Sequence, residues 1–202
     1  AELAEGKGRF VDQLIDGLWH LSNMPTWVLS AHLHRQKSQR SLPDPREQLI
    51  DLGSGGLAAQ VAVAWHFFHE TFDKVDPVIS YVIQEAMKKQ ILDPYLNTAE
   101  YRPNWWLGFE LKESQVVNNW NPWCNADVIL CFLLMEKDPQ RLEHALRQSA
   151  RSVDKFWDYV KSDGACEEGP AYWGHAAGKL YDYLKIMSEA SGGRFSFFDN
   201  KQ

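Results

Sequence analysis

Apolar residues recur at helical spacing along almost the whole chain, and this periodicity limits the possible folds more than any other feature. No segment alternates apolar and polar residues for long enough to form a sheet. Asp76-Pro77 and Asp138-Pro139 each place a helix-capping residue before a proline suited to the first helical position. The predicted helices span residues 10–21, 53–72, 77–95, 122–135, 139–161 and 170–191.

Short and long connections alternate between these helices, which is typical of stacked αα-hairpins. The sequence contains no repeat of fixed period, so a helical solenoid is not predicted. We expect an all-α fold forming a single helical domain over residues 1–202. Residues 24–46 are predicted to be a loop around a short helix, and residues 97–119 an aromatic loop. Gly192-Gly193 should end the last helix, and residues 195–198 should begin a strand or dock on the helices.

The net charge of −6 argues against a nucleic-acid-binding protein, and so does the absence of a basic cluster beyond residues 35–40. An anionic substrate remains possible, since a cleft can be locally positive on an acidic protein. No apolar run approaches the ~20 residues of a membrane span, so no membrane partner is predicted. The three cysteines lack metal-finger spacing, and we expect Cys124 and Cys131 to be buried free thiols. His32 and His34 have no third ligand nearby, so neither a metal nor another cofactor is predicted.

Nine tryptophans in 202 residues provide many flat surfaces on which sugar rings can stack. The alternative role for each is a place in the core. Asn118, Asn119 and Asn121 surround Trp120, and their amides can donate to a carboxylate without adding charge. One of the three is also expected to cap the helix that starts near Pro122.

The last predicted helix carries Tyr172, His175 and Lys179 at spacings of three and four residues, so these side chains share one face. They make a plausible set for proton transfer and anion binding. The alternative is a tyrosine packed edge-on with a solvated histidine and lysine. The apolar stripe of this helix is predicted to contain Trp173, Ala177, Leu180, Leu184 and Met187.

At four motifs the chain resembles the helical domain of the heparinase II/III-like polysaccharide lyases. The motifs are Trp27-Val28-Leu29-Ser30-Ala31-His32, Ile50-Asp51-Leu52, Asn118-Asn119-Trp120-Asn121-Pro122-Trp123 and Glu167-Glu168-Gly169-Pro170-Ala171-Tyr172-Trp173-Gly174. The resemblance covers most of the chain and implies part of an incomplete (α/α) toroid. Family members cleave uronate-containing glycans, such as glycosaminoglycans, by β-elimination. Because full members have more helices and a β-sandwich domain, the resemblance predicts that this chain is a fragment of a larger lyase or a reduced relative.

The resemblance makes Tyr172 the proton-transfer residue and Asn119, or Asn118, the amide that neutralises the substrate carboxylate. Many members have histidine directly after the paired asparagines, whereas this chain has Trp120. A free tyrosine ionises near pH 10, so Tyr172 would need activation by His175 or Lys179. The predicted substrate-binding residues are Trp27, His32, Trp105, Trp106, Trp120, Asn121, Glu168, Trp173 and Lys179.

The predicted partner is therefore an acidic polysaccharide or oligosaccharide, and the predicted location is periplasmic or secreted, where large glycans are found. A second hypothesis is a non-catalytic glycan-binding module of the same fold. A third is an (α/α) toroid glycoside hydrolase, which would need two carboxylates facing each other, for example Glu168 and Asp127.

Overall fold

The computed structural model describes residues 1–97, 104–112, 115–160 and 163–196, and every regular element within these ranges is helical. This confirms the predicted all-α class. The chain divides into two compact units, Ala1–Arg102 and Pro103–Gln202, where the sequence predicts one helical domain. In the described ranges, no helix has the length and hydrophobicity required to cross a membrane.

The first unit is built from five α-helices and two irregular helical segments within its described residues. They are α1 (Glu2–Glu5), α2 (Val11–Ser22), a 3₁₀ turn (Ser30–Arg35), α3 (Leu52–Val75), α4 (Pro77–Met87), a π-helical turn (Lys88–Leu92) and α5 (Asp93–Leu96). α4 packs against both α2 and α3. Small buried residues on α3, including Gly55, Ala58 and Ala62, allow this close approach.

The helix starts in the first unit follow local signals in the sequence. Asp76 accepts a hydrogen bond from Val78 N at 2.9 Å, as the Asp-Pro pair predicts. Asp51 caps α3 through a reciprocal capping box with Ser54. Gly53, in the first turn of α3, is required by packing: a Cβ there would lie 2.5 Å from Leu29 Cγ.

The described part of the second unit contains a 3₁₀ turn (Trp105–Leu107), α6 (Trp120–Met135), α7 (Pro139–Tyr159), a 3₁₀ turn (Pro170–Tyr172) and α8 (Trp173–Ala190). α6 packs against both α7 and α8. Most of its side chains are therefore buried, including Cys124 and Cys131, whose prediction as buried free thiols is confirmed. Burial raises the pKa of the Cys131 thiol.

Two predictions for the end of the chain need correction. The buried face of α8 includes Ala176, Tyr183, Leu184 and Met187, whereas Trp173, predicted to join the apolar stripe, is 61 % exposed. Trp173 is the first residue of α8 and precedes Ala176, the first buried residue of this helix. Phe195 is exposed and belongs to no strand, while residues 197 and 198 lie outside the described residues. The prediction that Gly192-Gly193 ends α8 is confirmed, since both glycines adopt positive φ.

Candidate active site on the second unit

Tyr172, His175 and Trp123 form an aromatic cluster where the start of α8 meets α6. The His175 imidazole stacks on the Trp123 indole with ring centroids 4.5 Å apart and planes 6° apart. The Tyr172 ring lies 5.7 Å from the His175 ring and is 52 % exposed. A solvent-accessible phenol thus lies beside an imidazole that the indole holds in a fixed plane. Tyrosine and histidine are both side chains that can act as general acids or bases.

Lys179 lies one helical turn after His175 and its charge is already compensated. Its Nζ donates to Asp127 Oδ1 at 3.0 Å and lies 3.8 Å from an Asp182 carboxylate oxygen. Nζ is also 5.7 Å from the centre of the Trp123 ring. We therefore assign Lys179 the structural role of holding α8 against α6. We no longer count it among the residues that would attract an anionic substrate or activate Tyr172.

Asp127 is the most deeply buried charged side chain of this cluster. Burial raises its pKa, and the charge of Lys179 and its hydrogen bond act in the opposite direction. The sequence suggested Asp127 only as one half of a hydrolase pair. Its position four residues after Trp123 is the sequence feature that indicates its place beside this cluster, because residues four apart share a helix face.

Glu168 precedes Tyr172 in the loop before α8. Burial raises the pKa of its carboxyl, the neighbouring Glu167 adds to this, and His175 acts in the opposite direction. The Oε2 atom of Glu168 is buried and has no hydrogen-bond partner within the described residues. Because Lys179 is paired with Asp127, His175 is the basic side chain of the cluster that lies against Tyr172.

The paired asparagines occupy different environments at the start of α6. Asn118 is half-buried, and its Oδ1 accepts a hydrogen bond from Trp120 N, at the first residue of α6, at 3.1 Å. Asn119 occupies the N-cap position of α6 but makes no side-chain capping bond. Asn119 is only 5 % exposed, and its Oδ1 has no hydrogen-bond partner in the described part of the chain. Asn118 is therefore the more accessible of the two amides.

Asn121 and Trp106, both predicted to bind substrate, belong to the core of the unit. Asn121 Nδ2 donates to Trp106 O at 2.9 Å and to Ser152 O at 3.0 Å. Both side chains are fully buried. The Asn121 amide thus joins the 3₁₀ turn at 105–107 to α6 and α7, and neither residue can contact a polymer in solution.

The other predicted tryptophans of this unit are at least partly accessible. Trp120 and Trp105 pack together with ring centroids 5.3 Å apart, and both are half-buried. Trp123, which follows Trp120 by three residues on α6, stacks on His175. Trp173 is the most exposed of the four and follows Tyr172 directly in the chain.

In the first unit, Trp27 is buried and donates from Nε1 to Leu21 O at 2.8 Å, so it is a core residue. His32 Nδ1 lies 2.6 Å from Oδ2 of the buried Asp51, which also accepts a hydrogen bond from Leu29 N. Asp51 therefore orients His32 while capping α3. The described residues of this unit and of the other contain no group of three potential metal ligands.

Comparison with known proteins does not test the resemblance seen in the motifs, which stays a prediction. No model of a known protein family matches the chain, and no curated protein matches it. The functional argument therefore rests on the geometry of the cluster on the second unit.

Proposed function

We propose that the second unit carries the proton-transfer site of a polysaccharide lyase that cleaves a uronate-containing glycan by β-elimination. The observation that carries this proposal is the exposed Tyr172 beside His175, whose ring is held flat against Trp123. The four-motif resemblance supports the same reaction, and the arrangement of the helices as part of an incomplete toroid belongs to this proposal as well.

In the proposed reaction, the Tyr172 phenolate removes the proton from C5 of the uronate. The electron pair of that C–H bond forms the C4=C5 double bond as the bond from C4 to the glycosidic oxygen breaks. Tyr172 then gives the proton to the departing oxygen, which restores the phenolate. The His175 imidazole lies beside the Tyr172 ring and is the group placed to assist the proton transfer.

The developing negative charge on the uronate carboxylate requires hydrogen-bond donors. We assign this role to Asn118 in preference to Asn119, because Asn118 is accessible and its Oδ1 is already engaged with Trp120 N. This bond fixes the orientation of the Asn118 amide. Its Nδ2 group is then the part that can donate to the substrate carboxylate.

The test is an ultraviolet assay for unsaturated uronate ends, run with heparan sulfate, chondroitin, hyaluronan and alginate. Tyr172→Phe should abolish product formation, since the phenyl ring cannot carry the proton. Tyr181→Phe is the matched control, because Tyr181 is 54 % exposed on the same helix. Product formation that survives in Tyr172→Phe would refute the assignment.

A non-catalytic glycan-binding module is the second candidate. It is favoured by the pairing of Lys179 with Asp127 and Asp182, because a compensated lysine does not strongly activate Tyr172. Glycan binding by the wild-type chain, without ultraviolet-absorbing product from any of the four glycans, would support this candidate.

A further inference from the structure

A small pocket lies between the loop at 163–169 and the start of α8, and of the predicted substrate-binding residues it is lined by Trp173. The pocket, here called the loop pocket, has a volume of about 320 Å³. Its walls include Asp163, Cys166, Gly169, Pro170 and Trp173. Since ligand cavities span about 300 to 1,000 Å³, it is at the small end and suits a single ring better than a chain.

The loop pocket is lined by residues on both sides of Tyr172 in the chain. Pro170 and Trp173 both line the pocket, and Tyr172 lies between them in the chain, within the 3₁₀ turn Pro170–Tyr172. Trp173 is 61 % exposed, so its indole is available for stacking. A ligand in the pocket would therefore occupy the position next to the one at Tyr172.

The charge around the loop pocket is negative. Residues 163–170 contain three acidic residues, Asp163, Glu167 and Glu168, and no basic residue, which gives 0 − 3 = −3. Asp163 lines the pocket and uses Oδ1 to accept a hydrogen bond from Ala165 N at 3.0 Å. Carboxylates accept hydrogen bonds from sugar hydroxyls but repel sulfate groups.

We propose that the loop pocket is a subsite for one pyranose without sulfate, stacked on Trp173 and hydrogen-bonded to Asp163, next to the uronate at Tyr172. This inference rests on the proposed lyase function and defines its substrate class: a glycan in which the sugar adjoining the cleaved uronate carries no sulfate. Asp163 then acts as the specificity-determining residue.

The test measures equilibrium binding by calorimetry in the Tyr172→Phe background, so that no turnover occurs. The probes are two pairs of oligosaccharides of equal length: chondroitin with chondroitin 6-sulfate, and heparosan with N-sulfated heparosan. The unsulfated member of at least one pair should bind more tightly, by about fivefold at low salt, as expected for one like-charge contact in water.

Two variants test the residues of the subsite. Trp173→Ala should weaken binding of the unsulfated oligosaccharide by about tenfold, whereas Trp19→Ala, a control 41 % exposed in the first unit, should not. Asp163→Asn keeps an acceptor for Ala165 N and should reduce the discrimination against sulfate. Asp158→Asn, at an exposed position on α7, should leave it unchanged.

The outcomes separate this inference from the proposed function. Absence of binding to all four oligosaccharides, tighter binding of the sulfated members, or normal binding by Trp173→Ala would overturn the subsite. If the expected binding pattern is found but the wild-type chain yields no unsaturated product, the lyase assignment fails and the subsite stands. If the wild-type chain forms a product that depends on Tyr172 but binding does not discriminate against sulfate, the lyase assignment stands and the subsite fails.

Discussion

Removing the charge of Lys179 should destabilise the second unit, because Asp127 would remain buried without its partner. The Asp127 side chain is 9 % exposed and that of Lys179 is 25 % exposed, with 3.0 Å between Oδ1 and Nζ. Deleting one partner of a fully buried pair costs about 3–5 kcal/mol. Since water reaches a quarter of Lys179, we expect Lys179→Met to lower the free energy of unfolding by about 2–3 kcal/mol at pH 7.

The loss in the free energy of unfolding of Lys179→Met should depend on pH in a defined direction. Burial raises the pKa of Asp127 in the folded protein, and loss of Lys179 should raise it further. A carboxyl group with a raised folded pKa binds its proton more tightly in the folded protein than in the unfolded chain. The destabilisation of Lys179→Met is therefore complete above that raised pKa and shrinks as the pH falls towards the ordinary aspartate value of about 4.

Urea unfolding followed by circular dichroism at pH 7 and pH 5 measures both effects. The matched control is Lys185→Met on the same helix, because Lys185 and its partner Glu189 are both largely exposed, and the expected loss is below about 0.5 kcal/mol. The double variant Asp127→Asn with Lys179→Met should recover most of the stability. A Lys179→Met deficit as small as that of the control, or one that does not shrink at pH 5, would refute the reasoning.

Two further predictions concern buried polar groups. Asn121→Ala should lower the free energy of unfolding by about 2–4 kcal/mol, because buried acceptors lose their donor. Asn118→Ala should cost about 1 kcal/mol, because Trp120 N loses its side-chain acceptor. Equal losses in urea unfolding would contradict this. Asp51→Ala should cost about 2–4 kcal/mol and accelerate amide hydrogen exchange at Leu29 and Ser54, whose N–H groups it accepts. Unchanged exchange at both amides would show that the cap is dispensable.

The helices and their boundaries were largely predictable because their signals act between residues close in the chain. Asp76 and Asp138 cap the helices that follow them, and Gly192-Gly193 ends α8, as the sequence indicates. The predicted helix at 77–95 is interrupted by the π-helical turn Lys88–Leu92 just before Pro94. The missing N–H of that proline gives the physical reason for irregular hydrogen bonding there.

The shared face of His175 and Lys179 was also predictable from their spacing along the helix, whereas Tyr172 lies in the 3₁₀ turn before α8. The structure brings the three residues to one cluster through Trp123, with His175 stacked on its ring and Lys179 near it. Spacing could not show that Asp127 neutralises Lys179, because that contact depends on how α6 and α8 are rotated against each other.

The sequence by itself determined the all-helical class and the capped helix starts. Only the tertiary structure decided which aromatic and amide side chains are accessible: Trp106 and Asn121 are buried, whereas Trp173 is exposed. Tryptophan and asparagine are equally suited to a core and to a sugar-binding surface, since each combines a packing surface with a polar group. Their roles follow from the packing partners that distant parts of the chain supply.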